Sequence, residues 1–234
     1  MIGRVRFGRF DIPMVDPLLI PSAPYSEGGH HFSNGATWVE QLGKSSGRGG
    51  SVRAAFASRS PGATNFAVGG ARAYDDGMNF NLTRQVDEYL EQSGGVASSD
   101  ALFIIEMGSN DVRDAFQAYA TGGDGGPIIQ AALASIAANI QRLYQAGARR
   151  YLGWVLPNVA LTPAIRGFGP AAATLATAVT QGFNVALGQI IGQLQTMLPG
   201  VRFSWLDADQ LLTAIVADPD AFGLTTVASA CSHR

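Results

Sequence analysis

The sequence predicts an α/β fold: a parallel β-sheet with helices on both faces. Three observations carry this. From about residue 65 onward, short apolar runs alternate with longer amphipathic stretches, the pattern of strand–helix–strand crossovers. The run Ala101-Leu102-Phe103-Ile104-Ile105-Glu106-Met107 breaks at Gly108-Ser109-Asn110-Asp111. It reads as a strand buried on both faces of a sheet and ending in a turn. The chain has 234 residues, 47% of them hydrophobic and 15% charged, which suits one domain over 1–234 with a sizeable core.

The elements follow in order. Residues 1–30 are rich in Gly, Pro and charge and read as an extended N-terminal loop, with Arg4–Phe7 as a short edge strand. Phe32-Ser33-Asn34-Gly35 is a turn. It delivers a short amphipathic helix over 36–43 that stops at Gly43. A Gly/Ser linker, 45–51, precedes a short strand from Thr64 that runs into the turn Gly69-Gly70. Two adjacent glycines permit positive φ and bring backbone N–H groups toward a ligand, or simply make a tight turn. Leu82 to Glu91 is a helix with Val86, Tyr89 and Leu90 inward, closed by Gly94-Gly95.

After the strand Leu102–Met107 comes a Gly-rich loop, 121–126, and then a long helix begun by Pro127 and ended by Gly147. Its buried stripe is Ile129, Leu133, Ile136, Ile140 and Leu143. Residues 149–156 form another strand, stopped by Pro157. A second long helix spans 170–198, with Leu175, Val179, Phe183, Ala186, Ile190, Leu194 and Met197 inward. Val201–Leu206 is the last strand, followed by Asp207 and a short helix through Val216.

Several function classes are excluded on composition and motif. The net charge is −2 and the basic residues are scattered, so no nucleic-acid partner is expected. No apolar run is long enough for a transmembrane segment, and no apolar stretch of a signal peptide follows Met1 in this chain. Gly-x-Ser-x-Gly, His-Glu-x-x-His and Cys-x-x-Cys are absent. Gly43-Lys44-Ser45 resembles the end of a phosphate loop, but Trp38 stands where its first Gly would be. His30 and His31 are adjacent and lack helically spaced acidic partners, so no metal or other cofactor is expected. The single cysteine, Cys231, excludes an internal disulfide within these residues. Asn110 stands at the carboxyl end of a strand, where open α/β sheets bind ligands, or it is an ordinary turn Asn.

Three segments together resemble the GDSL family of SGNH hydrolases, in its secreted esterase and lipase branch. They are Phe32-Ser33-Asn34-Gly35-Ala36-Thr37-Trp38-Val39, Asn65-Phe66-Ala67-Val68-Gly69-Gly70-Ala71 and Gly108-Ser109-Asn110-Asp111. Softer matches follow at Leu156-Pro157-Asn158 and Asp220-Ala221-Phe222-Gly223-Leu224-Thr225. The resemblance implies a three-layer flavodoxin-like fold and carboxylic-ester hydrolysis of a small-molecule ester or lipid. It assigns the Gly70 N–H and the Asn110 side chain as oxyanion donors, with Asn34, Gly69, Asp111 and Asn158 expected near substrate. One such donor contributes roughly a hundred- to a thousand-fold in rate.

The chain departs from the family pattern in two places. The family's Gly-Asp-Ser-Leu segment, which supplies the nucleophile, and its Asp-x-x-His, which supplies the base, do not occur in these residues. The expectation is a chain cut at both ends, weakly active or inactive, or a pseudoenzyme that binds ligand without catalysis. Ser33 or Ser109 could stand in as nucleophile, and His30, His31 or His233 as base. A family cysteine near Cys231 pairs with one further on, which would account for a solitary thiol. Loss of the family's first strand would leave unpaired strand edges and promote self-association.

Overall fold

The computed structural model describes residues 4–7, 10–13, 35–56 and 62–228. Two compact units divide the chain: residues 1–71 with 77–95, and residues 72–76 with 96–234. Each is described by itself.

In the first unit, β1 (Arg4–Phe7) and β2 (Phe10–Pro13) form an antiparallel hairpin with Val5 opposite Ile12. The expected strand at 4–7 is present. The extended loop expected after it is interrupted by a second strand, paired through all four of its residues. Helix α1 (Trp38–Ser45) begins at Thr37, whose N–H and hydroxyl both donate to the Glu40 carboxylate, at 2.7 and 2.8 Å. It runs two residues past Gly43, where a Cβ would stand 2.6 Å from Val52 Cγ2. The predicted strand at 64–68 is reduced to one parallel bridge between Ala54 and Asn65. The Asn65 side chain accepts the Ala67 N–H at 3.0 Å, an Asx turn that takes the backbone out of the ladder. Helix α2 (Leu82–Gln92) buries Leu82, Gln85, Val86 and Glu88. Phe56, Phe66, Phe80 and Tyr89 meet edge to face at 5.0–6.0 Å.

The second unit is built on a three-stranded parallel sheet of order β3-β4-β5, flanked by helices. The strands are β3 (Leu102–Ile104), β4 (Arg150–Val155) and β5 (Arg202–Asp207). Their register places Phe103, Tyr151 and Phe203 in one row, with ring centroids 5.9 and 5.0 Å apart. The Tyr151 hydroxyl, at the centre of the row, donates to the Ile140 carbonyl and ties the sheet to a helix. Strand β3 is shorter than predicted. Among the described residues it pairs only with β4, and Leu102 is 47% exposed, so it is not buried on both faces.

Helix α3 (Ser109–Ala120) fills the stretch between the strand and the Gly-rich loop. Helix α4 (Gly126–Ala146) then buries Leu133, Ile136, Ile140 and Leu143 along the predicted stripe. After β4 come a short 3-10 turn, Val159–Leu161, and a single helical turn, α5 (Pro163–Arg166). Helix α6 (Pro170–Met197) is continuous over the predicted span, but its buried residues are Ala176, Thr180, Phe183, Leu187, Ile191 and Leu194. Met197, expected inside, is 58% exposed. Phe183 and Leu194 are shared with the predicted face, and the other buried positions lie one residue further on, so the inward face is turned by less than one residue step of about 100°. Helix α7 (Ala208–Ala217) follows β5, its first turn capped by Asp207, which accepts the Gln210 N–H at 2.8 Å. Among the described residues no helix is long and apolar enough to cross a membrane.

Candidate active site

Helix α3 begins where β3 leaves the sheet, and the Gly-Ser-Asn-Asp segment forms its N-terminus. Gly108 precedes the helix at φ 122°, a conformation that strains any residue with a Cβ. A Cβ there would also stand 2.5 Å from the Phe183 ring and 3.0 Å from Leu156. Both demands require Gly. They press the start of α3 against α6 and the end of β4.

Asn110 is half-buried at the second position of α3, and Ser109 before it is exposed. Asp111, at the third, is 0% exposed. Both its oxygens accept backbone N–H groups: Ala73 at 3.0 and 2.9 Å and Tyr74 at 3.2 Å. Burial pushes the Asp111 carboxyl above its usual range, and the N–H groups of Ala73, Tyr74 and Asp111 itself offset part of that rise. Asp111, expected near substrate, is buried and accepts from the backbone of 73–74.

One helical turn on, Asp114 accepts from Arg72 Nε at 2.7 Å and from Arg113 Nη2 at 2.9 Å. Burial alone would raise the Asp114 carboxyl, but the two guanidinium groups outweigh it and hold the pKa below the usual range. Arg72 also lies 3.6 Å from Asp76. Residues 72–76 are thus held on α3 through Asp111 and Asp114. Neither Arg72 nor Asp114 was singled out from sequence; the three-residue spacing of Asp111 and Asp114 on one helix face was the available signal.

A second polar junction lies at the end of β4. Asn184 of α6 accepts the Leu156 N–H at 2.9 Å and donates to the Leu156 carbonyl at 2.9 Å, so one side-chain amide satisfies both backbone groups. Asn158 donates through its backbone to Asp209 at 2.8 Å and through Nδ2 to Thr177 at 3.1 Å, while its Oδ1 accepts from Ala160 at 3.0 Å. Asn158, expected near substrate, thus bonds to α6 and α7 from just past the end of β4. Thr177 and Asp209 were not legible as its partners, nor Asn184 as the partner of Leu156, since their spacing along the chain follows no local pattern.

In the first unit, Gly70 occupies a turn at φ 75°, with no heavy atom within 4 Å of where a Cβ would stand. Gly69, beside it in the same turn, is half-buried. Asn34, Ser33, His30, His31, Cys231 and His233 lie outside the described residues. Among the described residues, no three His, Cys, Asp or Glu side chains gather as a metal site would require.

A parallel α/β sheet that hands its strands to a Gly-x-Asn-Asp helix start defines a protein of the SGNH-hydrolase fold. More particularly, the chain belongs to the GDSL-like Lipase/Acylhydrolase family, whose profile matches residues 8–232. A GDSL esterase/lipase of Arabidopsis thaliana is 26% identical over 191 residues, 71% of this chain and 50% of that protein. A second from the same plant is 29% identical over 168 residues, covering 65% and 42%. Lipase 1 of Photorhabdus luminescens is 32% identical over 108 residues, 46% of this chain and 16% of that protein. The chain spans about half the length, or less, of the curated relatives it matches.

Proposed function

We propose that this chain carries the oxyanion-binding part of a carboxylic-ester hydrolase, which transfers an acyl group from a small-molecule ester or lipid to water. The Gly70 N–H and the Asn110 side chain are the donors that receive the negative oxygen of the tetrahedral intermediate. Asn34 and Gly69 border the substrate. The observation that carries this reading is the bonding of Asp111 to Ala73 and Tyr74. It ties the chain three residues after Gly70 to the residue next to Asn110.

The nucleophile and base are not assigned by the described residues. Loss of either from a serine triad lowers turnover about a million-fold, while oxyanion binding alone retains roughly a thousand- to ten-thousand-fold over water. The second reading, a ligand-binding protein without catalysis, rests on the absence of Gly-Asp-Ser-Leu and Asp-x-x-His from the sequence. Hydrolysis of p-nitrophenyl butyrate by wild type and Asn110→Ala separates the two. A wild-type rate above buffer that falls roughly a hundred- to a thousand-fold in the variant supports the enzyme. Equal rates in both remove Asn110 from the oxyanion site. Self-association through unpaired strand edges is a separate proposal, which a monomeric mass by light scattering would refute.

A further inference from the structure

We propose that the turn between α5 and α6, led by Phe168 and Arg166, is a docking knuckle for an anionic lipid surface. Phe168 is 74% exposed. One exposed apolar residue is common on proteins and marks nothing by itself. Here its presentation and the charge around it point to an occupant.

The backbone of the turn is bonded, not frayed. Thr162 caps α5, accepting the Ile165 N–H. The N–H groups of Gly167, Phe168 and Gly169 donate to the carbonyls of Pro163, Ile165 and Arg166 at 3.0–3.1 Å. Gly169 then takes φ 90° and ψ −179°, a conformation that favours glycine, and Pro170 opens α6. Behind the turn, Ile165, Ala172 and Ala173 pack against the buried cluster of Phe116, Ala160 and Ala176. The ring of Phe168 thus stands in solvent on a packed and hydrogen-bonded base.

Charge selects the occupant. From Leu156 to Met197 the sequence holds one charged residue, Arg166. A surface built to face water carries charge at roughly a quarter to a third of its positions. The exposed neighbours of Phe168 are instead Ala164, Gly167, Pro170 and Ala171 beside Arg166. Arg166 forms no ion pair among the described residues. Asp209 meets this stretch only at its other end, on the Asn158 N–H. An aromatic ring next to a lone cation suits the boundary between headgroups and acyl chains. The ring enters the hydrocarbon edge, and the guanidinium meets a phosphate. A second copy docked knuckle to knuckle would set two Arg166 side chains together, which like charge disfavours.

The test mixes the whole chain with vesicles of phosphatidylcholine, alone or in equal mixture with phosphatidylglycerol, and reads the bound fraction by sedimentation. Lipid is raised to about 10 mM, because one ring and one cation bind more weakly than a single acyl anchor, half-bound near about 0.1 mM. Wild type binds the anionic vesicles, and the neutral ones about five-fold less. Phe168→Ser loses about ten-fold on both. Arg166→Gln loses about five-fold on anionic vesicles and nothing on neutral ones. The emission that Phe168→Trp adds to wild type shifts blue and is quenched by brominated acyl chains. Both positions are exposed, so melting temperatures stay within about 2 °C of wild type. No binding at the highest lipid concentration overturns the proposal. So does Phe168→Ser or Arg166→Gln binding anionic vesicles as wild type does, or Phe168→Trp emission that brominated lipid leaves unquenched. A lipid-free dimer that Phe168→Ser breaks gives the knuckle to a second copy and overturns it equally.

Discussion

The carboxyl ends of β3 and β4 solve the same problem with opposite outcomes. At each, the chain leaves a parallel sheet and must satisfy polar backbone at a partly buried corner. At β4 the side chains of Asn158 and Asn184 are spent on the corner itself: Leu156, Ala160 and Thr177 take their hydrogen bonds. At β3 the corner is made by Gly108 alone, whose φ of 122° starts α3 without a side-chain cap. The polar residues that follow face elsewhere, Asp111 and Asp114 to residues 72–74.

The contrast can be broken most strongly at Gly108. Gly108→Ala combines positive-φ strain with a Cβ 2.5 Å from Phe183, which is 0% exposed and cannot yield. The expected loss is about 3–5 kcal/mol, the sum of backbone strain and overpacking. For a chain of this size that lowers Tm by roughly 10 °C. Gly70→Ala meets open space and carries only the backbone penalty, so its melting shift is smaller by more than half. Comparable melting temperatures for the two variants would show that packing at the start of α3 is not as tight as described.

Next in size is the β4 corner. Asn184→Leu keeps the volume and leaves the Leu156 N–H and carbonyl without their side-chain partner. At about 1–3 kcal/mol for each unsatisfied group, denaturant unfolding should report a loss of about 2–4 kcal/mol. A loss below 0.5 kcal/mol, on the order of an ordinary surface change, would mean that water replaces the amide there.

The smallest effect sharpens the β3 side. Asp114 is held below the usual carboxylate range, so its contribution is complete above the pKa of the unfolded chain and is lost as pH falls through the lowered folded value. Asp114→Asn should therefore cost about 1 kcal/mol at pH 7 and progressively less below about pH 4. Asp111 has the opposite sign. Its raised carboxyl carries an ionisation cost that grows as pH rises from the unfolded value through the folded one. A pH-independent deficit in Asp114→Asn would argue against the ion pair with Arg72.

Legibility from sequence tracked how many signals marked each element. Helix α4 was readable because its apolar stripe is bounded by Pro127 and Gly147 and contrasts with polar positions such as Gln130 and Arg142. Helix α6 was readable in extent but not in orientation. From Pro170 to Met197 it carries no charged residue, so two adjacent stripes are equally apolar and nothing marks the solvent side. Contact with the sheet and α3 chose Ala176, Thr180 and Leu187. Helix α3 was missed because Gly-Ser-Asn-Asp signals a turn, although Val112, Ala115 and Phe116 follow at helical spacing. The strand at 64–68 was over-read because the Asx turn of Asn65 competes with the ladder.

The order of apolar runs and glycine stops along the chain was enough to determine a parallel α/β architecture, because periodicity and turn chemistry are local properties, while the family showed in three matching segments, 32–39, 65–71 and 108–111. Which backbone and side-chain groups these polar residues bond was decided by tertiary structure. Asp111 and Asn158 look alike in sequence to Asn110, as polar residues just past a strand. Their hydrogen-bond partners lie 38, 19 and 51 residues away, and only folding brings such groups to 2.8–3.1 Å of each other.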